Sequence, residues 1–554
     1  MTLAYRQRRK STADRIRMLE SQVSSLSGLL APNPPPSVLR HFVEVYGIKL
    51  HLQPLPLFDV ECLGNMLQVS PEYFLHSFLA LMLEFSSHSF YINKYQQASA
   101  FYWHSAEAAT QQLAGRGKPT IEVLQALCML ALRNVAADDL PRAWMSVGAA
   151  ARLSTVGHMW HVQFTNATEH DKDNRCYWSI YMIESIFFPH VSQAIKTDRA
   201  YRHPPSVEPP PPLPHDLDQI NALDFDDTGG TSRDFGINAH AGGIISIWSQ
   251  VASYLHDIRM GEIQIPWLPE STYSKLNLSL LEYEAQLHRK HLMRNLFPFK
   301  RSTEDIKAYR QYWNPWLTTH LILHASLALL NHPFIHLVAL RRNKGMSQSR
   351  LFLQQVAIFH SGWVFWLVGI FEDLSVDISN PLIGLAVAAT STIPWLYQFG
   401  RNVKLARKAS QNLAKGQRLL ERMSKIWPFL SRKSPPLMKR QLESLKELQS
   451  LAMGTQLETG TTSAMIEFPP SMIWVLLDPI IEPAGLSSNI DDVPTGSATR
   501  VSIHVTTDFL HPLDDDQEES TLSPFDWENG LMFQNDLLQD IYPATLVPFD
   551  LNNL

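Results

Sequence analysis

A chain of 554 residues with 45% hydrophobic residues is long enough to bury a large core, which excludes a disordered or fibrous protein. Its formal net charge of −6 is unevenly spread: six of the first twenty residues are Lys or Arg, whereas residues 506–554 hold eleven Asp or Glu and no Lys or Arg. Such segregation indicates interaction segments at the two ends. The three scattered cysteines exclude both a disulfide framework and a six-cysteine zinc cluster.

The first element is a basic helix predicted over residues 1–31, followed by a Pro-rich linker at 32–37. After its cations, apolar residues recur at alternating intervals of three and four, which is the a/d seam through which two helices pair. The predicted dimerisation residues are Ile16, Leu19, Val23, Leu26 and Leu30. A basic helix that continues into such a seam is the bZIP arrangement for binding DNA. The alternative is a solvated amphipathic helix.

Residues 38–452 are predicted to form one large all-α domain, since apolar residues repeat at i, i+3, i+4 and i+7. The predicted helices span 71–86, 120–136, 141–157, 175–188, 242–258, 271–292, 316–334, 351–371, 381–399, 410–425 and 433–452. A Pro-rich stretch at 203–214 predicts an extended, solvated loop. The apolar stretches Trp363–Phe371 and Pro381–Tyr397 are short or interrupted by proline and predict core helices, not membrane spans. Residues 453–554 are predicted to be a largely disordered acidic tail.

Two groups of residues raise the alternative of an all-α enzyme. The segment LDFDDTGG at 223–230 offers three carboxylates, as terpene-cyclase-like enzymes use to hold Mg²⁺, but its Pro/Gly/Asp-rich surroundings favour a loop. His320 and His324 stand four apart on a predicted helix and offer two metal ligands without the glutamate of an HExxH motif. Core or interface histidines are favoured, and neither catalytic residues, metal ligands nor a cofactor are predicted.

The segment AYRQRRKST at 4–12 resembles the C-terminal half of the basic region of fungal bZIP factors. In that family an aromatic residue or cysteine precedes the key arginine, as Tyr5 precedes Arg6, and the first zipper residue follows ten positions later. The resemblance implies that Arg6 contacts base or phosphate and that Arg8, Arg9 and Lys10 neutralise phosphates. The family's base-reading asparagine would fall eight residues before Arg6, ahead of Met1. Base reading by this chain is therefore expected to be incomplete.

Several apolar blocks further along resemble the fungal transcription factor regulatory domain, also called the middle homology region. These blocks lie at 40–59, 75–86, 142–153, 176–185, 330–334 and 380–393, and the similarity runs over about residues 38–400. The resemblance implies an all-helical domain used for regulation and dimer contacts, with no catalytic residues.

The C-terminal tail mixes acidic residues with apolar anchors, a composition typical of activation segments that bind a coactivator groove. The predicted anchors are Phe525, Trp527, Leu531, Phe533 and Leu537. A plain solubilising tail is the alternative.

These observations together predict a fungal nuclear transcription regulator. Its expected partners are double-stranded DNA, a second copy or a related bZIP factor, and coactivators, with no membrane. Control of a pathway gene cluster, such as one for secondary metabolism, is the role that the resemblance suggests. The alternative is a transcription factor-like regulator without competent DNA binding that acts through partner proteins. An all-α enzyme is disfavoured.

Overall fold

A computed structural model describes most of the region between the two charged ends. The described residues are 34–159, 167–190, 202–211, 213, 234–262, 264–266, 268–296, 298–340, 348–398, 403–433, 463–468, 470–481 and 501–506. Helices dominate them, which confirms the predicted all-α class.

The helices of the described residues are numbered in chain order. They are α1 (Pro36–Lys49), α2 (Val60–Val69), α3 (Glu72–Phe85), α4 (Tyr95–Gly115), α5 (Ile121–Ala136), α6 (Leu140–Met159), α7 (Ala167–Phe187), α8 (Ile237–Arg259), α9 (Thr272–Gln286), α10 (Met293–Leu296), α11 (Thr303–Ala308), α12 (Arg310–Leu330), α13 (Pro333–Leu340), α14 (Gln348–Asp373), α15 (Pro381–Thr390), α16 (Thr392–Tyr397), α17 (Val403–Met423), α18 (Phe429–Lys433) and α19 (Pro470–Leu477). Short 3₁₀ turns lie at Ser89–Tyr91, Arg289–His291 and Pro298–Lys300.

In the N-terminal half, α3 and α5 are the central helices. Eleven of the fourteen residues of α3 are buried, because α4 and α5 both pack against it. Thr120 caps the start of α5, because its hydroxyl oxygen accepts the Val123 N–H, and the side chains of α5 are buried between α3, α6 and α7. Neighbouring helices thus cover most of the surface of α5, which is the surrounding that a largely apolar helix requires.

In the C-terminal half, α12 is central and packs against α8, α14 and α15. Helix α17 covers α14 and α15 with a buried apolar face, while cations such as Arg418 and Arg422 lie on its exposed face and pair with Glu372 of α14. Helices α7 and α8 pack together and join the halves, so that a continuous hydrophobic core runs from Val38 to Ile481.

The C-terminal boundary differs from the prediction. Helix α19 was expected to be part of a disordered tail, yet Ile473, Trp474 and Leu477 are buried in the main core, and α19 packs against α15. A two-stranded antiparallel ladder joins β1 (Ser463–Phe468) to β2 (Val501–Thr506), with Ser463 opposite Thr506. The expectation of a disordered chain after 453 is therefore wrong for α19, because its apolar side chains complete the core, and for β1 and β2, because these strands pair with each other.

One helix combines the length and composition of a membrane span with a place in the core. Among the described residues, the window Gln355–Asp373 of α14 has a mean hydropathy of 1.2 and is half buried inside the domain. Val364, Phe365 and Val368 are fully buried there. The apolar character of α14 is accounted for by its packing against α12 and α17.

The described part of the Pro-rich loop, 202–211, forms neither helix nor strand, and it is attached to the domain and not fully solvated. Pro204 and Pro210 are buried. The carbonyl oxygen of Arg202 accepts the Trp178 indole N–H at 2.9 Å, and that of Pro211 accepts from the Arg301 guanidinium at 2.8 Å. The loop thus lies along the domain close to the start of α8.

A first prediction concerns Glu184 on α7, where burial raises the carboxyl pKa to about 7 and the nearby Arg152 charge opposes this shift. A folded-state pKa above the ordinary value means that folding favours the neutral acid, so the protein loses stability as the pH rises from about 4.5 through 7. Glu184→Gln is neutral at every pH. It is expected to be more stable than the parent by about 1–2 kcal/mol at about pH 8 and nearly equal at about pH 4.5.

Urea unfolding followed by circular dichroism at the two pH values measures this difference. Glu282→Gln, which neutralises an exposed carboxylate on α9, is the matched control. Equal stability of Glu184→Gln and the parent at the higher pH would contradict the proposed burial cost.

Candidate functional site

The sites predicted from the sequence lie at the two ends of the chain. The DNA-binding residues Tyr5–Lys10, the seam residues Ile16–Leu30 and the tail anchors Phe525–Leu537 all fall outside the described residues. They remain predictions. The described domain holds a different polar cluster, at the start of α8.

Asp234 and His291 form the centre of this cluster. Asp234 Oδ1 accepts the Gly236 N–H at 2.8 Å and lies 3.1 Å from His291 Nε2. Gly236 has a φ of +84°, and a Cβ there would meet Ser206 Oγ at 2.5 Å, so this turn into α8 requires glycine. The other ring nitrogen of His291, Nδ1, lies 2.8 Å from the Tyr312 hydroxyl. Both ring nitrogens of His291 therefore take part in hydrogen bonds.

The backbone of His291 is fixed as firmly as its ring. Its carbonyl oxygen accepts hydrogen bonds from Trp316 Nε1 at 2.8 Å and from His320 Nε2 at 2.9 Å. Both donors lie on α12, and the ring planes of Trp316 and His320 pack with their centroids 4.3 Å apart. The 3₁₀ turn that ends at His291 is thus anchored to the central helix of this half.

His240, on the first turn of α8, completes the cluster. Its side chain is 8% exposed, and its ring centroid lies 5.5 Å from that of His291. Its carbonyl oxygen accepts the Tyr283 hydroxyl proton at 2.7 Å. Its Nε2 is buried, yet it has no hydrogen-bond partner among the described residues. The donor atoms of Asp234, His240 and His291 all lie within 4.8 Å of one another, so these three side chains are able to hold a metal ion.

The electrostatics favour neutral imidazoles beside an ionised carboxylate. Burial, with a smaller contribution from the neighbouring His291, lowers the pKa of His240 to about 4. Burial also lowers the pKa of His291, although its bond to Asp234 opposes the shift. For Asp234, burial would raise the pKa, but the Gly236 N–H and the His291 bond outweigh it, and the net pKa is lowered.

His320 and His324, which the sequence offered as two metal ligands on α12, do not face a common site. His320 bonds the His291 carbonyl, whereas His324 Nδ1 lies 2.9 Å from Nδ1 of His360 on α14, and the ring of His324 stacks on Trp363. Burial lowers the pKa of His324 well below its ordinary value and that of His360 to about 4. A hydrogen bond between two neutral rings fits this arrangement. The segment 223–230, the other group considered, lies outside the described residues.

A second polar contact fixes the C-terminal segment. Asp478 follows α19, is fully buried, and its Oδ2 accepts from Arg259 Nη1 at 2.9 Å and lies 3.0 Å from His256 Nδ1. Its Oδ1 accepts the Ile480 N–H at 3.0 Å. The bond to Asp478 raises the pKa of His256 in spite of burial. This contact holds residues 470–481 against the end of α8.

A cavity beside the polar cluster is too small for an organic effector. Its volume is about 10 Å³, and Asn238, Ala241, Met182 and Pro315 contribute to its lining. Such a space accommodates about one water molecule, whereas ligand pockets begin at about 300 Å³.

Sequence reasoning missed the cluster because Asp234, His240 and His291 are six and fifty-one residues apart and match no metal-ligand spacing. No family model, no curated protein and no solved structure matches this chain. Its function has to be inferred from its own residues.

Proposed function

We propose that this chain is a nuclear transcription regulator that binds double-stranded DNA as a dimer, either with itself or with a related bZIP factor. The observation that carries the proposal is the basic segment Tyr5–Lys10 followed by a 3-4-3-4 apolar seam, in which the first seam residue, Ile16, comes ten residues after Arg6. In that arrangement the seam holds two helices together, and the basic parts diverge into the major groove. Control of a pathway gene cluster, as in secondary metabolism, is the role suggested by resemblance.

The fold class of the large helical domain supports this proposal. Its all-α fold is the class that a fungal transcription factor regulatory domain would need, and some of its buried polar groups join separate segments, as Trp316 joins the His291 carbonyl and Asn380 joins Thr318. The proposal assigns it regulation and dimer contacts and gives it no catalytic step. The acidic tail with Trp527 and Phe533 would recruit coactivators.

A second prediction tests DNA binding directly with the full chain. Arg6, Arg8, Arg9 and Lys10 of each chain offer about four phosphate contacts, so a dimer offers about eight, each contributing about −0.9 to the slope of log affinity against log salt. Affinity of the dimer for a labelled duplex is therefore expected to fall about ten-thousandfold between about 50 and 200 mM salt. Changing these four residues to alanine is expected to abolish binding at the lower salt. Fluorescence anisotropy measures both effects.

The matched control removes four exposed cations elsewhere, Lys94, Lys118, Lys275 and Lys307, and so changes the net charge equally. It is expected to bind DNA as the parent does. If the parent shows no binding, or the Arg6–Lys10 variant binds as well as the parent, the bZIP proposal is wrong. The chain would then be a regulator that acts through partner proteins.

A further inference from the structure

The cluster at the start of α8 contains an unexplained buried nitrogen. His240 Nε2 lies out of solvent without a hydrogen-bond partner among the described residues, although an unpaired buried polar atom is costly and in native proteins calls for an explanation. The nearest ionisable neighbours are the Asp234 carboxylate and the His291 ring. Two imidazoles and a carboxylate form a donor set that transition metals take, and three chain segments supply it.

We propose that Asp234, His240 and His291 bind one divalent transition metal ion, with Zn²⁺ the ion best suited to this set of nitrogen and oxygen ligands. Zn²⁺ binds imidazole nitrogen at about 2.0–2.1 Å and carboxylate oxygen at about 2.0–2.2 Å. A tetrahedral site with these bonds needs donor atoms about 3.3 Å apart. The Asp234–His291 pair is already at 3.1 Å, and the whole set lies within 4.8 Å. His240 therefore has to approach by at most about 1.5 Å for the site to close.

The surroundings of His291 are those of a metal ligand. Ligating histidines donate their second ring N–H to an oxygen, which fixes the tautomer and orients the ring. When Nε2 binds the ion, the single ring proton of His291 is on Nδ1, which donates to the Tyr312 hydroxyl oxygen at 2.8 Å. Nε2 then carries no proton, so its hydrogen bond to Asp234 is replaced by the bonds of both groups to the ion. The two hydrogen bonds from α12 to the His291 carbonyl hold the backbone during this exchange.

The ion has a route into the site and an open coordination position. The Asp234 side chain is 26% exposed and that of His288 is 22% exposed, with His288 Nδ1 3.9 Å from Asp234 Oδ2. The fourth coordination position therefore faces His288 and solvent, where water completes the coordination. His240 and His291 form the buried side. Bound there, the ion joins the turn before α8, α8 itself and the 3₁₀ turn after α9.

The experiment uses the full chain, stripped with a chelator and titrated with Zn²⁺ by calorimetry and with Co²⁺ by visible absorption. One ion per chain is expected, and an excess of about a hundredfold over Kd is expected to raise the Tm by about 3 °C. His240→Leu is the main variant, because it removes a ligand and breaks none of the hydrogen bonds of Asp234, His291 and Tyr312 described above. It is expected to weaken binding at least a hundredfold and to cancel the rise in Tm.

Two further variants separate binding at this cluster from binding to histidines elsewhere on the surface. Tyr312→Phe keeps all three ligands and removes the hydroxyl beside His291 Nδ1, so it is expected to weaken binding about tenfold. His104→Gln removes an exposed histidine of α4 and is expected to bind as the parent does. Equal affinity of the parent, His240→Leu and Tyr312→Phe for Zn²⁺, or no bound ion in the parent, would overturn the proposal. None of these readouts depends on DNA binding.

Discussion

Asp478→Asn is expected to lower the free energy of unfolding by about 3 kcal/mol. Asp478 is fully buried and accepts from Arg259, whose side chain is 12% exposed. The asparagine keeps the size of the side chain and an oxygen for the Ile480 N–H, but it removes the charge that balances Arg259 and His256. Removing one partner of a buried ion pair costs about 3–5 kcal/mol, and the slight exposure of Arg259 places this case at the lower end.

The effect is expected to depend on pH, because Asp478 raises the pKa of His256. A raised folded-state pKa means that protonated His256 stabilises the fold below its ordinary pKa and that this contribution is lost as the pH rises through the folded value. The difference between parent and variant should therefore be larger near pH 6 than near pH 8.5. Urea unfolding followed by circular dichroism at both pH values measures it.

Asp373→Asn, an exposed change at the end of α14, is the control and is expected to stay within about 0.5 kcal/mol of the parent. A similarly small change for Asp478→Asn would mean that the attachment of residues 470–481 to α8 does not depend on the bonds of Asp478 to Arg259 and His256.

Trp427→Ala is expected to destabilise the domain by about 4 kcal/mol. The indole is fully buried between α17 and α18, and its ring lies 5.2 Å from Phe85 of α3 and 6.4 Å from Phe187 of α7. Its Nε1–H donates to the Ser379 carbonyl at 2.8 Å, just before α15. Truncation leaves a cavity between both halves of the domain and an unpaired carbonyl.

Two further substitutions separate the contributions of packing and hydrogen bonding. Trp427→Phe keeps a ring but loses the donor to Ser379, so a loss of about 1–2 kcal/mol is expected. Trp144→Ala removes a tryptophan that is 47% exposed on α6 and is expected to have almost no effect. Denaturant unfolding followed by circular dichroism compares the three variants. A Trp427→Ala protein as stable as Trp144→Ala would refute the close packing of the two halves.

The sequence was most informative where a helix buries a broad apolar face. The patterns at 71–86 and 120–136 predict α3 and α5 to within a residue at most boundaries. Helix α4 was missed, because the face it buries consists of small or polar side chains four residues apart, Ala98, Tyr102, Ala106 and Thr110. A search for large apolar residues at helical spacing does not detect this face, although it packs against α3.

Local backbone chemistry explains other differences. The single helix predicted at 381–399 is divided into α15 and α16 at Ser391, close to Pro394. Proline has no N–H for the carbonyl four residues earlier and clashes with it, which ends a regular helix.

Strand β2 was missed although Val501, Ile503 and Val505 alternate with polar residues, the period of two that marks a strand.

The metal-binding candidate was beyond the reach of sequence patterns for a different reason. Asp234 and His240 stand on either side of a glycine turn, and His291 comes from a 3₁₀ turn where a helix was expected to continue to 292. Proximity between them is created by the packing of α8 on α12, a tertiary effect. The buried state of His240 Nε2 likewise appears only in the folded domain.

The late position of Asp478 has a consequence for synthesis in the cell. Asp478 follows Arg259 by 219 residues, so at about 5–20 residues per second α8 emerges about ten to forty seconds before its buried counter-ion is made. During that interval the face of α15 that α19 covers is also open to water. Nascent chains of this protein should therefore depend on holding chaperones until residue 481 has left the ribosome. A stop codon anywhere between 433 and 470 should yield a product that is degraded, even though every described helix before α19 is complete.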